Sequence, residues 1–402
     1  MNFHQFSAGL FLLTLFCLFS TVALGQTRKP IAIVLFEVSN NVVLIKVNVN
    51  GSKPLSFILD TGASGTVISE NQAKELGLKL EEQAVASTQG GSIEASLVKD
   101  ASLRLSKDVE LTNIMLAVIR LNGLDAGFGR KIDGILGYEI FDRFVVEIDY
   151  VSKLVRFHEP QTFEYRGRGK TFPITLEEGT PFILGKVAPA GNQSFEGKFL
   201  IDTGSTGTLT FNSPFVARNK LLKLVPNTKA ITFGGLLAGK SSGRIGRVSS
   251  FQFGDIFIAN PVAIFSQDTE GDDSNEEFSG VIGSEVLRRF KLIIDYSRKR
   301  IIFEPNKQIN EPYEFDMSGA SLVAGGEDFK TFKVRSLIEN SPATEAGLRV
   351  GDIITAINGK PTAEMTLGQI RQMFKRANQT YKLSAKRDES LSQITLKTRR
   401  II

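Results

Sequence analysis

Phe57-Ile58-Leu59-Asp60-Thr61-Gly62-Ala63-Ser64-Gly65-Thr66 recurs later in the chain as Phe199-Leu200-Ile201-Asp202-Thr203-Gly204-Ser205-Thr206-Gly207-Thr208, so that Asp202 follows Asp60 by 142 residues. A single turn motif has no reason to return in the same apolar frame, and a duplicated unit is the first reading. Downstream, Asp133-Gly134-Ile135-Leu136-Gly137 and the stretch 141–150 recur as Ser279-Gly280-Val281-Ile282-Gly283 and 287–296, with Gly283 following Gly137 by 146 residues. Each unit closes on a similar strand, Val155-Arg156-Phe157-His158-Glu159-Pro160 in the first and Ile301-Ile302-Phe303-Glu304-Pro305 in the second. The repeat therefore sets one lobe at 31–160 and another at 170–305, joined by the linker Arg166-Gly167-Arg168-Gly169-Lys170.

Both lobes read as mostly β. Val42 to Val49 is apolar with Lys46 and Asn48 alternating, and Asn50-Gly51 is a two-residue hairpin signal. Convincing helical spacing is confined to short stretches, Asn71 to Leu78 and Ser284 to Phe290. A strand of three apolar residues ending in Asp-Thr-Gly delivers a carboxyl at a strand-to-loop junction, where glycine permits close backbone approach by a partner. Two such loops can face each other across a pseudo-twofold axis. A plain turn with a side-chain hydrogen bond accounts for one Asp-Thr-Gly; it does not account for two in matching strands, each followed by a matching Leu-Gly or Ile-Gly element.

Those paired elements resemble the pepsin and retropepsin class of aspartic peptidases. The resemblance implies two retropepsin-like β-barrel lobes in a pseudo-twofold acid protease fold, with Asp60 and Asp202 as the catalytic pair. It also implies that Thr61 and Thr203 hydrogen-bond across the lobe interface and that Gly62 and Gly204 complete the loops. Adjacent carboxyls do not both ionise easily, so in this class the pair shares a proton and a water attacks the peptide carbonyl without a covalent intermediate. No metal and no cofactor is implied. Gly90-Gly91 and Gly234-Gly235 each lie about thirty residues after a catalytic aspartate and are the flap candidates. The chain departs from the pattern in having Ala63 where the second lobe has Ser205, and in lacking an evident flap tyrosine.

From about residue 313 the pattern changes. Glu339-Asn340-Ser341-Pro342-Ala343, Ala346-Gly347-Leu348, Val350-Gly351-Asp352-Ile353-Ile354 and Ile357-Asn358-Gly359 follow in the order of bacterial PDZ domains, which they resemble. The punctuation is physically legible: Pro342 opens a short helix, Gly347 ends it, and Asn358-Gly359 makes a tight turn. Leu367, Ile370 and Phe374 recur at helical spacing, mostly as core. The resemblance implies a small α+β PDZ domain over 313–402 that binds an extended peptide with a free C-terminus, with Gly319-Ala320-Ser321-Leu322 as the carboxylate loop and Ile370 in the groove.

Composition narrows the function classes. The chain has 402 residues, enough for two or three packed domains, and a formal net charge of +5 spread too thinly to imply nucleic acid. Its only cysteine, Cys17, and one of its two histidines, His4, lie near the amino terminus. Beyond them remains His158, read as a surface residue at a strand end, so a thiol nucleophile, a Ser-His-Asp triad and a histidine-rich metal site are excluded. Residues 1–25 read as a secretory signal, with an apolar run from Gly9 to Leu24 ahead of Gln26, too short for the roughly 20 apolar residues of a spanning helix. An uncleaved anchor is the alternative, because no Lys or Arg precedes the run. Phe16 ahead of Cys17 argues against lipid attachment. The expected location is outside the cytoplasm, in periplasm, at the cell surface or in the medium. Asp149 and Asp295 read as exposed hairpin-turn residues, and the acidic stretch 268–277, which lacks EF-hand spacing, as a solvated loop. The sequence thus points to an exported aspartic endopeptidase; a noncatalytic exported peptide-binding protein and a site assembled from two chains are the competing readings.

Overall fold

A computed structural model describes residues 29–402 except 90, 192, 235–238 and 240, and the expected signal segment lies outside the described residues. The axis relating the two lobes runs through a six-stranded sheet. Ala32–Leu35, Leu154–His158 and Val145–Asp149 come from the first repeat, and Phe290–Asp295, Arg300–Pro305 and Lys170–Pro173 complete it from the second. At its centre Val146 pairs with Ile294 and Ile148 with Leu292, antiparallel. Under the 146-residue offset these two pairs are images of each other, which places the twofold axis between them. Alternation then sends Val146, Ile148, Leu292 and Ile294 into one continuous apolar core shared by both lobes.

Each lobe is its own sheet. In the first, Val42–Val49 pairs with Leu55–Leu59 along one edge and meets Gly91–Ser106 at its end through Asn48–Arg104 and Val49–Leu103, closing an eight-stranded barrel-like sheet. Asn50 and Gly51 both take positive φ, 47° and 76°, as a tight hairpin turn requires. The second lobe is a ten-stranded sheet built on the same plan. In both, the strand entering the Asp-Thr-Gly loop lies parallel to the strand of the later glycine element. Phe57 pairs with Gly134 and Leu59 with Leu136 in the first lobe, as Phe199 with Gly280 and Ile201 with Ile282 in the second. The mostly β, two-lobed expectation stands.

Several local expectations change. The helix expected over 71–78 spans Glu70–Glu75, capped by Ser69, whose hydroxyl accepts from Gln72 N. The helix expected from Ser284 to Phe290 ends at Leu287, because Phe290 already begins a strand of the central sheet. Asp149 caps its turn through Val151 N and Ser152 N. Asp295, read as exposed, is instead fully buried, with Arg298 at 3.0 Å and Arg300 at 2.9 Å neutralising it. His158, read as a surface residue, is also buried, 3.4 Å from Glu147 Oε2 and with its ring against Phe163.

The C-terminal unit has a six-stranded sheet and its own apolar core. Its helices Pro342–Glu345 and Leu367–Phe374 both begin with capping boxes, at Ser341 and Thr366. Asn358 and Gly359 take φ of 53° and 79°, the turn their sequence predicts. Two features fasten this unit to the second lobe. Fully buried Arg289 donates to the carbonyls of Glu311 and Pro312 and stacks on Tyr313 at 3.6 Å. Ile338, Ile401 and Ile402 pack with Ile245 and Val262 of the lobe. Among the described residues no helix is long and apolar enough to cross a membrane.

Candidate active site

The parallel pairing described above ends at Asp60 and Asp202, whose backbone amides donate to Leu136 O at 3.0 Å and Ile282 O at 3.1 Å. Each aspartate is thus held at the last ladder hydrogen bond of a buried strand, and the chain turns immediately after it. The turn is fixed by the carboxyl itself: Gly62 N donates to Asp60 Oδ1 at 2.7 Å, and Gly204 N donates to Asp202 Oδ1 at 2.8 Å. In the second lobe Ser205 N adds another bond to Asp202 Oδ1 at 2.8 Å.

The two loops interlock. Thr61 N donates to Thr203 Oγ1 at 3.0 Å and Thr203 N donates to Thr61 Oγ1 at 3.1 Å. Each hydroxyl then donates across the axis, Thr61 to Ile201 O at 2.6 Å and Thr203 to Leu59 O at 2.8 Å. Both threonines are buried, so these bonds also satisfy four backbone groups that water does not reach. The interlock brings each aspartate against the opposite loop's glycine. A Cβ on Gly62 would stand 2.8 Å from Asp202 Cγ, and one on Gly204 would stand 2.3 Å from Asp60 Cγ. Only glycine leaves room for the facing carboxyl.

The later glycines support the same loops. A Cβ on Gly137 would meet Gly65 O at 2.5 Å, and one on Gly283 would meet Gly207 O at 2.4 Å. Ser284 Oγ donates to Thr203 O at 2.8 Å; the equivalent position in the first lobe is Tyr138, whose backbone amide donates to Ala63 O at 3.0 Å.

Electrostatics separates the two carboxyls. Burial, the negative charge of Asp202 and a hydrogen bond with it push Asp60 well above the usual carboxylate range. Burial also raises Asp202, but the hydrogen bonds from Asp60, Ser205 N and Gly204 N pull it back toward the ionised form. The two carboxyls therefore share one proton, and the extra amide bond at Asp202 favours the charge on that side. The extra bond is a main-chain one, from the amide of Ser205, so the asymmetry lies in how the second loop is folded and not in the serine side chain. Tyr296 was not singled out from the sequence, although it lies inside the repeat. Its hydroxyl is buried with no hydrogen-bond partner among the described residues, and the charge of Asp60 helps push it well above the ordinary phenol value, after burial.

Of the flap candidates, Gly90 and Gly235 lie outside the described residues. Gly91 begins the second strand of the hairpin formed with Gln83–Thr88, with φ of 137°. This hairpin reaches the second lobe: Ser87 Oγ donates to Asp272 Oδ1 at 2.5 Å, and a Cβ on Gly271 would stand 2.4 Å from Gly91 N. Gly234, at the end of Lys229–Phe233, does not stand alone as a second flap. Its carbonyl accepts from Arg335 of the C-terminal domain at 2.7 Å, and a Cβ on it would lie 3.2 Å from Gln89 Oε1.

The acidic stretch 268–277 is therefore more than a solvated loop. Asn212, fully buried, holds it through the carbonyls of Asp272, Asn275 and Phe278. Asp273 is 2% exposed. Burial and the neighbouring Asp268 push its carboxyl up to about 7, with Asp272 and Asp202 adding to the effect and a hydrogen bond from Gln89 opposing it. Sequence alone marks these acids as a charge run; Glu270, Glu276 and Glu277 are indeed exposed, and Asp273 is the one that is buried, where the first-lobe hairpin returns.

In the C-terminal domain, Gly319 has φ of 79° and Ala320–Gly325 is an edge strand. Gly319 N already donates to Asp316 Oδ1 at 2.7 Å and Ala320 N to Ser318 Oγ at 3.0 Å, so these two amides of the expected carboxylate loop are engaged internally. Ile370 is fully buried in the domain core, and the neighbouring Gly368, Gln369 and Arg371 line the open space instead, beside Ser321 and Leu322. Among the described residues no cluster of His, Cys, Asp and Glu is arranged to hold a metal.

Residues 45–140 match the aspartyl protease family, and residues 333–382 match the PDZ domain family. Comparison with curated proteins gives no match. Among solved structures the chain is similar to the aspartic proteinase from Irpex lacteus, at 14% identity and a TM-score of 0.44, over 70% of this chain and 99% of that one.

Proposed function

We propose that this chain, which carries an aspartyl protease domain and a C-terminal PDZ domain, is an aspartic endopeptidase that hydrolyses peptide bonds with Asp60 and Asp202. The observation that carries the reading is the reciprocal packing of each carboxyl on the other loop's glycine, locked by the paired threonine bonds. A turn motif with no chemical role has no need to place two carboxyls face to face, because their proximity disfavours ionisation of both.

The extra amide bond from Ser205 N favours the charge on Asp202 and supports the following roles. Ionised Asp202 takes a proton from a water as that water adds to the carbonyl carbon, while Asp60 gives its proton to the carbonyl oxygen. When the tetrahedral species collapses, Asp202 returns its proton to the leaving nitrogen and Asp60 recovers one from the hydroxyl that becomes the new acid. In this reading the hairpin of 83–88 with 91–106 acts as the flap that excludes bulk water. The PDZ domain binds peptide or protein termini, and residues 1–25 direct export and are removed.

Mass-spectrometric mapping of peptide cleavage from acidic to neutral pH tests this, with Asp60→Asn and Asp202→Asn variants alongside. Cleavage that disappears in both variants is expected. Folded protein that cleaves nothing at any pH, or cleavage indifferent to either substitution, replaces this reading with that of a noncatalytic peptide-binding protein. The same spectra report the amino terminus of protein recovered from the producing cells, which is expected at Gln26.

A further inference from the structure

The peptide groove of a PDZ domain lies between an edge strand and a helix, here Ala320–Gly325 and Leu367–Phe374. In this chain the groove faces the first protease lobe. The lobe's helix Asn122–Phe128 packs against Ala320–Gly325. Gly129, which ends that helix with φ of 67°, is seated between the two walls: a Cβ there would stand 2.9 Å from Leu367 Cβ and 3.5 Å from Ala324 Cβ. Arg371 of the groove helix bridges the contact, donating to Gly127 O at 2.8 Å and to Leu322 O at 2.9 Å. The second bond occupies a carbonyl of the edge strand on which an added peptide strand would pair.

We propose that the PDZ groove is closed in cis by Gly127–Gly129 of the protease lobe, and that a peptide with a free C-terminal carboxylate enters only by displacing that segment. Three observations converge on this. Gly129 fills the space between strand and helix at Ala324. Arg371 spends both arms of its guanidinium on lobe and strand, in surroundings buried enough to push its pKa down to about 10. The remaining open space, a cavity of about 1230 Å³, includes Gly319–Leu322 at the end of the groove and is lined there by Arg335 and Arg376, cations suited to a terminal carboxylate, with Lys375 held by Glu285 and with Glu314 and Asp316 also on its wall.

Because the lobe segment and the peptide compete for one groove, each weakens the other by the same factor. The contact also reaches toward the dyad. Lys375, at the end of the groove helix, lies 3.7 Å from Glu285 Oε2. Asn41 Nδ2 donates both to that oxygen, at 2.8 Å, and to Thr206 O at 3.0 Å, in the loop that carries Asp202.

The test rests on the PDZ fold and not on the cleavage reading, and it uses the full chain with Asp60→Asn so that the probe survives. The probe is a dansylated hexapeptide, Ser-Gly-Ser-Thr-Leu-Val, as the free acid and as its C-terminal amide, titrated by fluorescence anisotropy. Gly129→Ala places a methyl against Leu367 from the lobe side and leaves every PDZ residue unchanged. It is expected to tighten binding of the free acid at least tenfold, with the amide binding at least tenfold more weakly than the acid. In the chain that keeps Gly129, saturating peptide is expected to deprotect amides of residues 122–130 in hydrogen exchange. Equal affinity with and without the Gly129→Ala substitution, together with unchanged exchange, would overturn the proposal, as would failure of both forms to bind the free acid at millimolar concentration.

Discussion

Replacing Thr203 by valine tests whether the interlocked loops hold the two lobes in register. The substitution preserves shape and removes a hydroxyl that accepts from Thr61 N and donates to Leu59 O. Both backbone groups are enclosed, Thr61 being 1% exposed and Leu59 fully buried, so neither regains a partner in water. At about 1–3 kcal/mol for each unsatisfied buried group, the expected destabilisation is about 2–6 kcal/mol. Thr61→Val removes the equivalent pair of bonds, to Thr203 N and Ile201 O, and should cost a similar amount. Thr203→Ser keeps the hydroxyl and should cost much less. Urea unfolding measures these differences, since the lobes share one apolar core. Peptide cleavage should fall about 100-fold in each valine variant, because a shift of about 1 Å between the carboxyls spoils the geometry. A cost below about 0.5 kcal/mol for Thr203→Val, equal to that of the serine control, would show that the paired threonines do not fasten the site.

Two further outcomes follow from close packing and from charge. Gly204→Ala places a Cβ 2.3 Å from Asp60 Cγ, whereas Gly65→Ala meets only Glu139 Oε1 at 3.6 Å; the first should lower kcat at least 100-fold and the second should leave it near normal. Asp273 is raised from 3.8 to about 7 in the folded protein, so between these values the native state holds a proton that the unfolded chain has lost. Its contribution to stability is therefore complete below pH ~4 and is lost as pH rises toward 7. At 1.36 kcal/mol per pH unit the loss amounts to about 4 kcal/mol, and urea unfolding across pH should show Asp273→Asn flattening that slope and exceeding the native protein in stability at pH 8.

The duplicated Asp-Thr-Gly loops were legible because their requirements are local and repeat. A strand must end where a carboxyl emerges, and glycine must follow where another chain segment approaches; Phe57 to Gly62 and Phe199 to Gly204 state both conditions in consecutive residues. The turns at Asn50-Gly51 and Asn358-Gly359 were legible for the same reason, since positive φ at two successive positions selects these residues. Helix ends were less so. Ser284 begins a helix as its pattern predicts, but Phe290 is claimed by the central sheet, a tertiary demand that outweighs helical spacing.

Burial of charge was not legible at all, and the reason is distance along the chain. Asp295 has its partners Arg298 and Arg300 close by in sequence, but its strand lies against Val145–Asp149 of the other lobe, which no local pattern announces. Asp273 sits in a run of acids that composition assigns to solvent, yet Gln89 and Ser87, nearly two hundred residues earlier, arrive with the first-lobe hairpin and meet Asp273 and Asp272. Arg371 has the spacing of an exposed helical residue between Leu367 and Phe374, but Gly127 stands against it from a different domain. For Asp273 and Arg371 one member of the pair is ordinary without the other, and only the twofold assembly and the docked C-terminal domain bring them together. The dyad escapes this blindness because duplication writes both partners in the same words. A contact between unlike segments, such as Gly129 against Leu367, leaves no such trace.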